Sequence, residues 1–153
     1  MKYLIIENVR SAYNVGAMFR TADGAGVAKI FLVGYTPTPI DRFGRVQSEI
    51  SKTSLGASET IAWESVDTSA AVIAELQAEG FTVVAIEQSP VSISLKDFVA
   101  PEQVAYIVGS EVTGVETKTL DAVDQVVEIP MLGAKESLNV SVAAGVVMYH
   151  GLV

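Results

Sequence analysis

Three short runs hold most of the residues able to do chemistry. The first is Asn14-Val15-Gly16-Ala17-Met18-Phe19-Arg20, an amide and a guanidinium six positions apart. The second is Gly109-Ser110-Glu111-Val112-Thr113-Gly114, a carboxylate set between glycines. The third runs from Ile129 to Ala143 and carries Ser137, Asn139 and Ser141 in an otherwise apolar approach to the last helix. A guanidinium stays protonated, so Arg20 suits holding an anionic group. Helix starts need a single capping Ser or Asn. Several such residues beside a loop containing Gly133 point to a bound ligand. Each residue also has a plainer use. Asn14 fits a helix cap, Arg20 an ion pair with Asp23, Glu111 a solvated loop acid, and Ser137 and Asn139 capping.

Placing these runs together requires a framework of strands and helices. Strand-like runs occur at Tyr3–Val9, Lys29–Gly34, Thr60–Glu64, Phe81–Glu87, Val104–Gly109 and Gln125–Ile129. Helical spacing or length occurs at Val15–Ala25, Arg45–Leu55, Ser69–Glu79, Lys118–Ala122 and Leu138–Leu152. Alternating strands and helices predict an α/β fold, a parallel sheet with helices on both faces. Ligands of such sheets bind outside the carboxyl ends of the strands. The three runs follow the first, fifth and sixth strands, so one pocket at that end is expected. Thr36-Pro37-Thr38-Pro39 reads as an ordered loop and is too short to divide domains.

Composition narrows the classes. A chain of 153 residues suits one domain, residues 1–153, with a real core. It has no cysteine and a single histidine, His150, which argues against disulfides and against thiolate or histidine metal sites. No apolar run reaches membrane-spanning length and no signal peptide is evident, so a cytoplasmic location is expected. The net charge of −8 opposes a polyanionic partner, but its distribution is uneven. Residues 1–53 hold seven bases against four acids, whereas residues 54–153 hold three against fourteen. Any nucleic-acid face must be local and built by the N-terminal third.

Together the three runs resemble the motifs of the SPOUT superfamily, in its SpoU (TrmH-like) branch of RNA 2′-O-ribose methyltransferases. Asn14–Ala17 with Arg20-Thr21-Ala22 and Gly26 resembles motif one, Val108–Gly114 motif two, and Ile129-Pro130-Met131 with Ser137–Ala143 motif three. The resemblance covers essentially the whole chain, without an added RNA-binding extension. It implies an α/β-knot with a deep C-terminal trefoil, S-adenosyl-L-methionine as cofactor, a homodimer, and tRNA or rRNA as substrate. Arg20 is then the candidate for activating the 2′-hydroxyl or holding its phosphate, with Asn14, Glu111, Ser137 and Asn139 around the reacting ribose. Gly109, Ile129 and Leu138 fall at the methyl donor, and Met131 and Glu87 are further candidates there. Arg10, Arg42, Arg45, Lys52 and Lys135 are the candidate RNA contacts, since phosphate attraction dominates nucleic-acid affinity. A competing expectation is a catalytically idle RNA-binding or assembly module. An ordinary Rossmann protein fits less well, because no G-x-G-x-x-G follows the first strand.

Overall fold

The computed structural model describes residues 1–153. Seven strands form one parallel sheet: β1 (Lys2–Glu7), β2 (Lys29–Val33), β3 (Ala62–Val66), β4 (Thr82–Ile86), β5 (Ile93–Ser94), β6 (Val104–Val108) and β7 (Gln125–Glu128). Their spatial order is β3-β2-β1-β6-β4-β7-β5, and every pairing is parallel. Six helices connect them: α1 (Ala12–Gly24), α2 (Ser48–Ser54), α3 (Ala57–Thr60), α4 (Ser69–Ala78), α5 (Thr117–Ala122) and α6 (Val140–Tyr149).

The near-continuous apolar strands are explained by burial on both faces. Leu4 and Ile6 of β1 and Tyr106 of β6 point to one layer, where Met18 and Phe19 of α1, Ile50 of α2 and Val147 of α6 pack. Ile5 and Ile107, one position on, point to the other, against Val72, Ile73 and Leu76 of α4. Each fully buried Leu, Ile or Phe contributes roughly 1.5–3 kcal/mol relative to exposure. The Tyr106 hydroxyl is buried without a hydrogen-bond partner, and burial pushes its pKa up to about 12.

Several element bounds differ from the sequence expectation for local reasons. The first helix starts earlier, at Ala12, because Ser11 caps it by accepting the Asn14 N–H at 3.1 Å. Asn14 is therefore not the cap. The expected helix over Arg45–Leu55 starts only at Ser48. Asp41 takes the Phe43 and Arg45 amides at 2.8 and 3.0 Å, and Ile40 bridges Val46, so residues 40–46 form a hairpin tip. The third strand shifts to Ala62–Val66 because α3 occupies Ala57–Thr60. Two-residue β5 has too little periodicity to be read from sequence. The Thr36–Pro39 loop is ordered as expected: Thr36 is buried, its hydroxyl lying 2.8 Å from Val33 O and accepting the Val9 N–H.

One acid is buried at the carboxyl end of β1. Glu7 is 1% exposed and has no cation beside it. Its carboxylate accepts the Glu116 N–H at 2.9 Å and the hydroxyls of Thr119, at 2.6 Å, and Ser69. Such donors are what a buried carboxylate requires. They fasten α4 and α5 to the end of the strand from which the first candidate run departs.

Candidate active site

A cavity of about 590 Å³ opens at the carboxyl ends of β4, β6 and β7. Its walls come from the loops after those strands and the first turn of α6. Glu87, Gly109, Glu111, Ile129, Met131, Ser137, Leu138 and Asn139 all line it. Asn14 and Arg20 do not.

The loop after β6 is a closed five-residue turn. Ser110 and Gly114 exchange backbone hydrogen bonds, and the Ser110 hydroxyl accepts the Val112 and Thr113 amides at 3.2 and 3.4 Å. Gly109 is sterically obligatory, because a Cβ there would sit 2.4 Å from both Gly114 C and Val115 N. Glu87 secures the far side of the turn by accepting the Val115 N–H at 3.0 Å. Half-buried Glu87 is thus an anchor for the turn as well as a wall of the cavity.

From this turn Glu111 reaches back to the start of α1. It accepts the Arg10 and Ser11 amides at 3.1 and 3.0 Å, and the Asn14 side chain nearby also favours its ionised form. Partial burial pushes its pKa up. Hydrogen bonds from its own amide, from Arg10 and Ser11 and from Asn14 outweigh that and leave it below the usual value. Asn14 therefore joins the site through Glu111 and does not touch the cavity. Glu111 is exposed, but the plain reading of a solvated loop acid does not describe it.

The third run divides its polar groups between two uses. The Asn139 carboxamide oxygen caps α6 by accepting the Ser141 N–H at 2.9 Å and the Ser141 hydroxyl at 2.7 Å. Ser137 makes no hydrogen bond within the chain and stands exposed at the cavity wall. Capping thus accounts for Asn139 and Ser141 and leaves Ser137 free for a ligand. The expected helix start at Leu138 moves to Val140 for the same reason.

Arg20 is exposed on α1 and forms no ion pair, with Asp23 or any other acid. The remaining basic candidates are scattered. Arg10 lies beside Glu111, Lys135 in the loop ahead of α6, Lys52 in the last turn of α2, and Arg42 and Arg45 on the hairpin tip. Arg45 is paired with Asp41 at 3.0 Å. His150 stacks on Phe98 and its ring nitrogen lies 2.6 Å from Phe98 O, a packing role. Sequence reasoning missed Gln88, whose side chain donates to Glu136 O at 2.5 Å and ties the β4 and β7 loops together. Its position at a strand end ahead of Ser89-Pro90 was the available signal.

Comparison with known proteins shows the family. Residues 1–149 match the model of the SpoU rRNA Methylase family. A curated relative, the 23S rRNA (guanosine-2′-O-)-methyltransferase RlmB of Neisseria meningitidis, is 33% identical over 95% of this chain and 55% of its own. The chain spans little more than half the length of the curated relatives it matches. An AdoMet-bound rRNA methyltransferase from Sinorhizobium meliloti superposes with a TM-score of 0.87 at 27% identity, over 97% of this chain and 54% of that one. A structure described by the 2′-OH methylation of C/U34 on tRNA superposes at 0.81 with 25% identity, over 99% and 94% of the two chains. The match runs over nearly every residue, and this chain belongs to the SpoU rRNA methylase family.

Proposed function

We propose that residues 1–153 act as one catalytic domain that transfers a methyl group from S-adenosyl-L-methionine to a ribose 2′-hydroxyl of RNA. The observation that carries this is the cavity itself, in which the second and third motif loops meet around an unpartnered Ser137, with the start of α1 tied to its wall through Glu111. The cavity suits the cofactor. Its volume lies within the roughly 300–1,000 Å³ of small-molecule sites. Gly109 allows backbone to approach a ligand closely, Ile129 and Leu138 offer apolar walls, and Glu87 offers an acceptor for hydroxyls. When bound, the cofactor supplies an electrophilic methyl group.

The chain's own residues supply position. Ser137 and the free amide nitrogen of Asn139 face a substrate at the mouth of the cavity, and Glu111 and Asn14 fix the wall opposite. Arg20 cannot take up a further proton, so it holds a phosphate of the RNA and orients the hydroxyl. Its position outside the cavity supports a homodimer in which one protomer lends Arg20 to its partner. α1 and α6 run side by side, Thr21 meeting Gly145 and Gly24 meeting Tyr149, and Val142 and Val146 of α6 are exposed. We infer that a second copy covers this face. The trefoil knot is part of the same proposal, supported by membership of the family.

The test is mass-spectrometric mapping of 2′-O-methylated nucleotides in RNA from a deletion strain and its parent, paired with calorimetry of S-adenosylhomocysteine binding. One missing 2′-O-methyl group, restored by wild type and not by Arg20→Ala, is the expected result. Cofactor binding without any missing mark would leave the idle-module reading standing instead.

A further inference from the structure

Phe43 is the most exposed aromatic side chain in the fold. It stands 66% exposed on the hairpin tip and touches no core cluster. Two guanidiniums lie over its ring, with Arg42 Cζ at 4.8 Å and Arg45 Cζ at 5.0 Å from the centroid. The tip is pre-shaped. Asp41 takes the amides of Phe43 and Arg45, Gly44 turns at φ +79°, and Gln47 N–H closes the base on Pro39 O at 2.9 Å. The two arginines differ in freedom. Arg45 is pinned by its Asp41 ion pair, while Arg42 has no carboxylate partner. The tip belongs to the loop leaving the carboxyl end of β2, at the same rim of the sheet as the cavity.

An exposed aromatic ring flanked by cations is the combination that binds single-stranded nucleic acid, where a base stacks on the ring and cations meet the backbone. The sign of charge agrees. The tip lies in the one third of the chain that is net basic, while the rest is strongly acidic. We propose that Phe43 is a stacking platform for an unpaired base of the RNA. The base replaces the Arg42 guanidinium on the ring, Arg42 turns to the adjoining phosphate, and Arg45 holds the other flank. This rests on the RNA reading above and narrows it, because a fully paired helix has no free base to offer.

The test compares Phe43→Leu, Phe43→Trp and wild type for binding a labelled single-stranded RNA of mixed sequence and the duplex it forms with its complement. S-adenosylhomocysteine binding, measured alongside, reports that each variant is folded. Phe43→Leu should weaken single-strand binding roughly 5- to 100-fold. Phe43→Trp should keep it, and duplex binding should move less than twofold in both. Equal single-strand affinity in Phe43→Leu and wild type would overturn the platform and leave the methyltransferase reading intact. Loss of single-strand and duplex binding together would overturn base stacking in favour of a general electrostatic role. A wild type that holds cofactor but neither RNA would remove the platform and the RNA reading at once. Should Phe43→Leu instead shift the oligomeric state with RNA binding unchanged, the tip is a contact with a second copy and the proposal falls.

Discussion

Glu111 is surrounded by donors that favour its ionised form: the amides of Arg10 and Ser11 and the side chain of Asn14. Its pKa therefore lies below the ordinary 4.5. A carboxyl whose folded value is depressed adds stability that is fully present above the unfolded value and lost as pH falls through the folded one. Wild type should accordingly be more resistant to urea than Glu111→Gln at neutral pH. The gap should hold down to about the unfolded value and close on further acidification. Urea midpoints of both proteins across that range check this, and a gap unchanged in acid would rule out the charge as its source. Sequence alone identified Glu111 and Asn14 as separate candidates, but their connection was hidden. It joins positions nearly a hundred residues apart, and no local spacing encodes that. Asn139 was legible only in part, since its cap and its place on the cavity wall are one side chain serving two neighbours.

Loops and helix pairs set the next limit. Two glycines meet backbone where a side chain would go, and they separate stability from binding. A Cβ at Gly109 collides with Gly114 C and Val115 N at 2.4 Å, and one at Gly16 lies 2.8 Å from Ile50 O, where α1 crosses α2. Neither neighbour is a side chain end that can swing away, so Gly109→Ala and Gly16→Ala should each destabilise by about 1–3 kcal/mol. Only Gly109→Ala should also abolish S-adenosylhomocysteine binding, read by calorimetry below the unfolding transition. Six strands and most helices were legible because their periodicity is strong. The errors fall where short polar side chains redirect backbone. Ser11 begins α1 early, Asp41 turns an expected helical start into a hairpin, and Asn139 delays α6.

At the scale of the whole molecule, the two-faced parallel sheet was readable from alternating elements, whereas the strand order was not. Periodicity says nothing about which strand lies beside which, and β6 between β1 and β4 is a long-range outcome. The site's completeness is also a matter for this scale, because Arg20 does not line its own cavity. Arg20→Ala and Ser137→Ala should each lose methyl transfer. Mixed after partial denaturation and refolding, they should regain it, since the proposed dimer then has one intact site in each mixed pair. No recovery would place Arg20 and Ser137 in a single protomer. The strand order carries a further consequence for the moment of synthesis. β4 hydrogen-bonds only to β6 and β7, and β5 only to β7, so both leave the ribosome before any partner exists. β4 must wait for Val104–Val108, which joins it to β1, and β5 waits longer, until Gln125–Glu128 emerges and slots between it and β4. Slow, non-local closure is thus built into the order of the strands.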